Sequence, residues 1–105
     1  MTQLQAMTCS ILIEVPVALA LGPRQLRTAA AGIAATLVTH PVLWAAWTPA
    51  RGWLSYAATA LLLEGAVVAV EAGIYRVTLP VSWGRAALIS LAANAASFGV
   101  GALFG

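Results

Sequence analysis

Residues 53–75 read WLSYAATALLLEGAVVAVEAGIY, a run in which Glu64 and Glu71 are the only charged side chains. At the α-helical rise, such a run reaches about 35 Å, enough to cross the roughly 30 Å hydrocarbon core of a bilayer. Trp53 and Tyr75 stand at its two ends, where amphipathic rings favour the membrane–water interface. A carboxylate at membrane depth costs at least a few kcal/mol, so Glu64 and Glu71 must face a partner or a water-filled path. Seven residues apart, they fall on nearly one helix face, with Glu71 about two turns further along.

Three more apolar runs flank this one: Leu4–Leu21, Thr28–Thr48 and Ala86–Phe104. Gly22-Pro23 stops the first, Pro49-Ala50-Arg51-Gly52 closes the second, and Pro80, Ser82 and Trp83 place Arg76–Arg85 in a loop. The pattern predicts an all-α polytopic membrane protein, one domain over residues 1–105 with four antiparallel transmembrane helices at about 4–21, 28–48, 53–75 and 86–104. Composition agrees: 62% hydrophobic and 8% charged residues lie outside the range of soluble domains. All three acidic residues, Glu14 included, interrupt apolar runs, and all five arginines lie between them. Met1–Gln5 is uncharged and Glu14 falls where a signal peptide has its apolar core, so the first run reads as a mature helix.

The charges also exclude functions and set an orientation. A net charge of +2, spread over single or paired arginines in short loops, is no nucleic-acid footprint. Cys9 is the only cysteine, which rules out an internal disulfide or a cysteine-rich metal site. No nucleophile–base–acid triad, Walker motif or nucleotide fingerprint is present. Arg24, Arg27, Arg76 and Arg85 mark the first and third loops, and Arg51 alone the second. Positive charge inside then puts both termini outside, in the cytoplasmic membrane of a prokaryote. Trp44, Trp47 and Trp53 form the outer aromatic belt, Tyr75 and Trp83 the inner.

Counting along helices of alternating direction places Glu14, His40, Glu64 and Asn94 within a slab about 5 Å thick near the midplane. Each lies on a polar or small stripe: Ser10 with Glu14, Thr36 with His40 and Trp44, Glu64 with Glu71 and Tyr75, and Ser90, Asn94, Ser97 with Gly101. These stripes are expected to converge inward. Pro16 and Pro41 free the carbonyls of Leu12 and Leu37, and freed carbonyls at membrane depth can bind cations. The expected ligand- or proton-binding set is therefore Glu14, His40, Glu64, Asn94 and Thr39, with Glu71, Ser97 and Tyr75 secondary. Two midplane carboxylates cannot both stay ionised without a cation.

Structural readings stand beside these. His40 can serve as an interhelical hydrogen-bond partner of Glu14 or Glu64, and Asn94 as helix–helix glue. Glu71, nearer the cytoplasm, can snorkel and pair with Arg76 or Arg85. His40, Glu14 and Glu64 together can hold a divalent metal such as zinc, although closed structural sites take four ligands.

Glu14-Val15-Pro16, Thr39-His40-Pro41 with Trp44, Glu64, Glu71-Ala72-x-x-Tyr75 and Asn94-x-x-Ser97-x-x-x-Gly101 together resemble a set of small bacterial and archaeal four-helix membrane proteins. Their second-helix motif usually reads Asn-x-x-Thr-Asn/His-Pro; here Ala35-Thr36 stands where the first Asn is expected. The resemblance covers the whole chain and implies the same site residues, without implying a substrate. Ile13-Glu14-Val15, with four helices at this length, is also similar to small multidrug-resistance exporters. That likeness implies proton exchange for a cationic drug at a carboxylate pair across a homodimer. The exporters lack Thr-His-Pro and a third helix with two glutamates.

The combined expectation is a small cation- or proton-coupled transporter or channel in the lipid bilayer, acting as a homo-oligomer on a small cationic substrate. Glu14 and Glu64 would bind the proton or cation, His40 would tune it, and Thr39 and Asn94 would orient them. The alternative is an accessory or cofactor-holding subunit of a larger membrane complex, with His40 ligating haem, chlorophyll or a metal. An intramembrane metal hydrolase is the remaining, non-preferred possibility.

Overall fold

The computed structural model describes residues 2–104, with side chains to residue 103. Its elements are α1 (Gln3–Leu21), α2 (Leu26–Arg51), α3 (Tyr56–Thr78) and α4 (Trp83–Phe104). All four are long and apolar enough to cross a membrane, and the bundle is 40 Å long, so the chain is a four-span membrane protein. Each helix packs on its neighbours in the order α1–α2–α3–α4–α1, while the diagonal pairs do not approach. Connections of a few residues impose this antiparallel square.

Hydroxyl caps set where the helices begin. Thr2 and Gln5 form a reciprocal capping box at the start of α1, with bonds of 3.0 and 3.1 Å. Ser55 accepts from the Ala58 amide at 3.2 Å, and Ser82 from the Arg85 amide at 3.1 Å. The second cap starts α4 three residues before the sequence-predicted Ala86 and draws Trp83, Gly84 and Arg85 into its first turn. α2 runs through Pro49 to Arg51, and α3 continues past Tyr75 to Thr78. Pro16 and Pro41 lie inside unbroken helices.

Side-chain size is inverted relative to a soluble bundle. Leu12, Leu37, Val42, Leu61, Leu62 and Leu91 face outward, while buried positions are filled by Ala18, Ala31, Ala35, Ala72, Ala86 and Ala93 with threonines and serines. Lipid tails solvate large apolar side chains as well as a core does, so close approach of small residues and interhelical hydrogen bonds hold such a bundle.

The interior differs between its two ends. At the end carrying the first and third loops, Ala18, Ala31, Tyr75, Leu79, Ala86 and Ile89 form a buried apolar seal, with Leu21 and Val81 packed against it. A Cβ at Gly22 would stand 2.9 Å from Ile89 Cδ1 and 3.0 Å from the Ala18 carbonyl, so any larger residue would have to push α4 or the end of α1 aside. Arg85 donates to the Leu21 carbonyl at 2.6 Å, placing a cation on the negative end of α1. Arg76 lies 5.6 Å over the Trp83 ring. The end carrying the termini and the second loop is open instead. There Trp47 meets Tyr56 edge-on at 5.5 Å, and Arg51 lies 5.8 Å over that tyrosine.

Candidate functional site

The four polar stripes do converge. A cavity of about 410 Å³ enters from the open end and is lined by residues of all four helices. It brings Glu14, Thr39, His40, Glu64, Glu71, Asn94 and Ser97 into one space, with Trp44 and Tyr56 on its wall. Tyr75 does not line it; fully buried, it belongs to the seal below.

The floor is built on Glu71, not on Glu64. Glu71 is 1% exposed, and both its carboxyl oxygens are engaged. Asn94 Nδ2 donates to Oε1 at 2.6 Å, and Thr39 Oγ1 donates to Oε2 at 2.6 Å. Asn94 spends its other amide hydrogen on the Ser90 carbonyl at 2.8 Å, so the amide is fully committed. Thr39 has one hydroxyl hydrogen and also lies 2.9 Å from the Ala35 carbonyl. Of the two contacts, the one to Glu71 is the shorter. Polar groups from two helices, α2 and α4, thus converge on one carboxyl.

Glu14 faces Glu71 from α1 and is 3% exposed. Its Oε2 receives only a long contact from Thr36 Oγ1, at 3.4 Å, and its Oε1 has no described partner. Thr36 has a better acceptor in the Gly32 carbonyl at 3.0 Å. The Tyr75 hydroxyl, just beneath, is also buried and unpartnered, and would stand 3.4 Å from a Cβ at Gly32. The floor thus holds two neighbouring carboxyls, one well supplied with donors and one almost without. Ser10 and Ser97 join α1 to α4 at 2.9 Å on the cavity wall, and Ser90 joins α4 to the Val68 carbonyl of α3 at 2.7 Å.

Several expectations need correction. Glu71 neither snorkels nor pairs with an arginine, because Asn94 and Thr39 hold it inside while Arg76 and Arg85 turn to Trp83 and Leu21. Counting depths along the helices did not anticipate the direct Glu71–Asn94 bond, because these two side chains lean toward each other on antiparallel helices. His40 bonds to neither Glu14 nor Glu64; its Nδ1 is unpartnered and its ring leans on Trp44, 6.2 Å between centroids. One residue past Thr39, it is rotated about 100° from the floor-facing position. Pro16 and Leu12 sit on the outer face, so the carbonyl freed there cannot serve the site. As a metal site, His40, Glu14 and Glu64 share the cavity, yet no group of three His, Cys, Asp or Glu able to hold a metal occurs among the described residues.

Glu64 stands apart on the wall. It is half-buried, and it makes no hydrogen bond to any described residue. Thr36 was legible as part of the Thr36–His40 stripe, but nothing in the spacing ranked it above His40 as the neighbour of Glu14.

Searches against family models, curated proteins and solved structures return no match for this chain.

Proposed function

We propose that this protein is a small proton- or cation-coupled transporter or channel of a prokaryotic cytoplasmic membrane, acting as an oligomer, with Glu14 and Glu71 as its coupling carboxyls. The observation that carries this reading is a cavity open at one end, floored by two adjacent buried carboxyls and closed beneath by an apolar seal. That is the shape of a pathway accessible from one side. Arginine counting turns the open end to the outside.

On this reading Glu71 is the carboxylate and Glu14 carries the proton; the Asn94 and Thr39 contacts to Glu71 and the partnerless Oε1 of Glu14 support it. Two buried carboxyls side by side retain one proton between them unless a cation replaces it. A cation entering the cavity competes with that proton, and this competition is the elementary act of exchange. Release to the other side requires Ala18, Ala31, Tyr75, Leu79, Ala86 and Ile89 to part, with the Tyr75 ring as the largest group to move. Each chain holds its own floor, so an oligomer supplies the frame against which a bundle moves.

The test uses purified full-length protein in liposomes containing a pH-sensitive dye. Wild-type vesicles are expected to move protons when a monocation gradient is imposed, while Glu14→Gln and Glu71→Gln, checked for fold by circular dichroism, are not. Proton-tight wild-type vesicles under gradients of sodium, potassium and tetramethylammonium sink the transport reading. A bound chromophore in the visible absorbance of the pure protein would favour the cofactor-holding alternative through His40.

A further inference from the structure

A second space abuts the site from the side. Between α3 and α4, Ala60, Leu61, Gly65, Val68, Leu91 and Ala95 line an outward-facing groove of about 310 Å³. Glu64, Asn94 and Phe98 line this groove and also line the internal cavity. Those three side chains are therefore the partition between the two spaces, roughly midway along α3. The groove is otherwise apolar. Its single ionisable group is Glu64, which no described protein group satisfies.

We infer that the α3/α4 groove is a lateral portal through which a cation with an apolar tail passes from the lipid into the internal site, its charge meeting Glu64 and its tail lying in the groove. The argument is charge complementarity at depth. A carboxylate facing hydrocarbon without a protein donor is expensive, and a hard hydrated ion cannot reach it through lipid. An amphiphilic cation brings both missing parts, since its head pairs with the carboxylate while its tail never leaves an apolar surround. Gly65 keeps the groove open: a Cβ built there meets nothing within 4 Å. Phe98, about a third exposed, stands at the junction as its inner door. The cationic head then passes to the Glu14–Glu71 floor on the far side of Asn94.

This inference rests on the transport reading and names the class of substrate for it. The experiment compares hexyltrimethylammonium with tetramethylammonium binding to the full-length protein in lipid nanodiscs by calorimetry. Gly65→Phe fills the groove without touching the cavity. It is expected to weaken the hexyl cation at least about tenfold while leaving tetramethylammonium, which can enter by the open end, within about twofold. Phe98→Ala is expected to accelerate binding of the hexyl cation alone. Equal effects on both cations, or on neither, overturn the portal, as does competition by uncharged hexanol as strong as that of the cation. Tetramethylammonium-driven proton flux in Gly65→Phe vesicles separates the failures. Persisting flux with lost tail selectivity leaves both readings standing. Persisting flux with unchanged selectivity removes the portal alone, and absent flux in the wild type removes the transport reading.

Discussion

Removing the Asn94 amide tests the charge assignment at the floor. Asn94→Ala deletes the 2.6 Å bond to Glu71 Oε1 and leaves that oxygen buried without a donor. A hydrogen bond to a charged group contributes about 1.5–3 kcal/mol, whereas interhelical hydrogen bonds between neutral groups in membranes average about 0.6 kcal/mol. In wild type the substitution should therefore cost about 1.5–3 kcal/mol. Glu71→Gln keeps a carbonyl oxygen that can still accept from Asn94, but the charge is gone. In that background, Asn94→Ala should cost only about 0.6 kcal/mol. The double-mutant cycle then returns a coupling of about 1–2 kcal/mol that belongs to the charge. Reversible unfolding in mixed micelles, or steric trapping in bicelles, measures each corner at one pH. If Asn94→Ala costs the same in both backgrounds, Glu71 is not the anion of the pair and the proton assignment is reversed or wrong.

Tyr75→Phe should leave stability unchanged or raise it by about 1 kcal/mol, because it removes a buried hydroxyl that has no described partner; thermal unfolding that falls markedly instead would show a partner at that hydroxyl. Gly22→Val should destabilise by about 1–3 kcal/mol, since its Cβ meets the Ala18 carbonyl backbone as well as Ile89, while Gly65→Ala, in open space, should be neutral. Cys9, the single cysteine, is exposed and lines the cavity, so a membrane-impermeant maleimide added outside intact cells should label it. Labelling only in inverted vesicles would reverse the orientation derived from the arginines.

The fold was legible because its signals are long and redundant. Each span is a run of about twenty apolar residues, and in lipid such a run has only the helix or the closed barrel available. Helix ends were less legible, because one serine oxygen decides them: Ser82 begins α4 ahead of a Gly-Arg pair that reads as loop. Backbone depth puts Asn94 level with Glu64, yet its amide reaches Glu71, because Cβ directions on antiparallel helices tilt the two side chains toward each other. Convergence of the stripes survived, since it depends on angular position and not on height. That His40 bonds to neither Glu14 nor Glu64 was unreadable from spacing alone, as a bond needs both partners' directions and the sequence supplies only one.

Why a carboxylate so expensive should sit at Glu71 follows from what touches it. Its two oxygens take donors from α2 and α4, it is itself on α3, and Glu14 faces it from α1. All four helices therefore meet at one carboxyl. A ligand shifts a conformational equilibrium only by as much as it binds the two states differently. Any relative movement of these helices changes the number of donors on Glu71, and with it the balance between proton and cation at the pair. Conversely, a cation that replaces the shared proton changes which donor arrangement is best, and so which packing of the four helices is best. On the transport reading, this reciprocity needs no separate hinge or lid. Glu64 lacks it: no donor from another helix is attached to it, which suits a residue at the entrance and not one at the point of coupling.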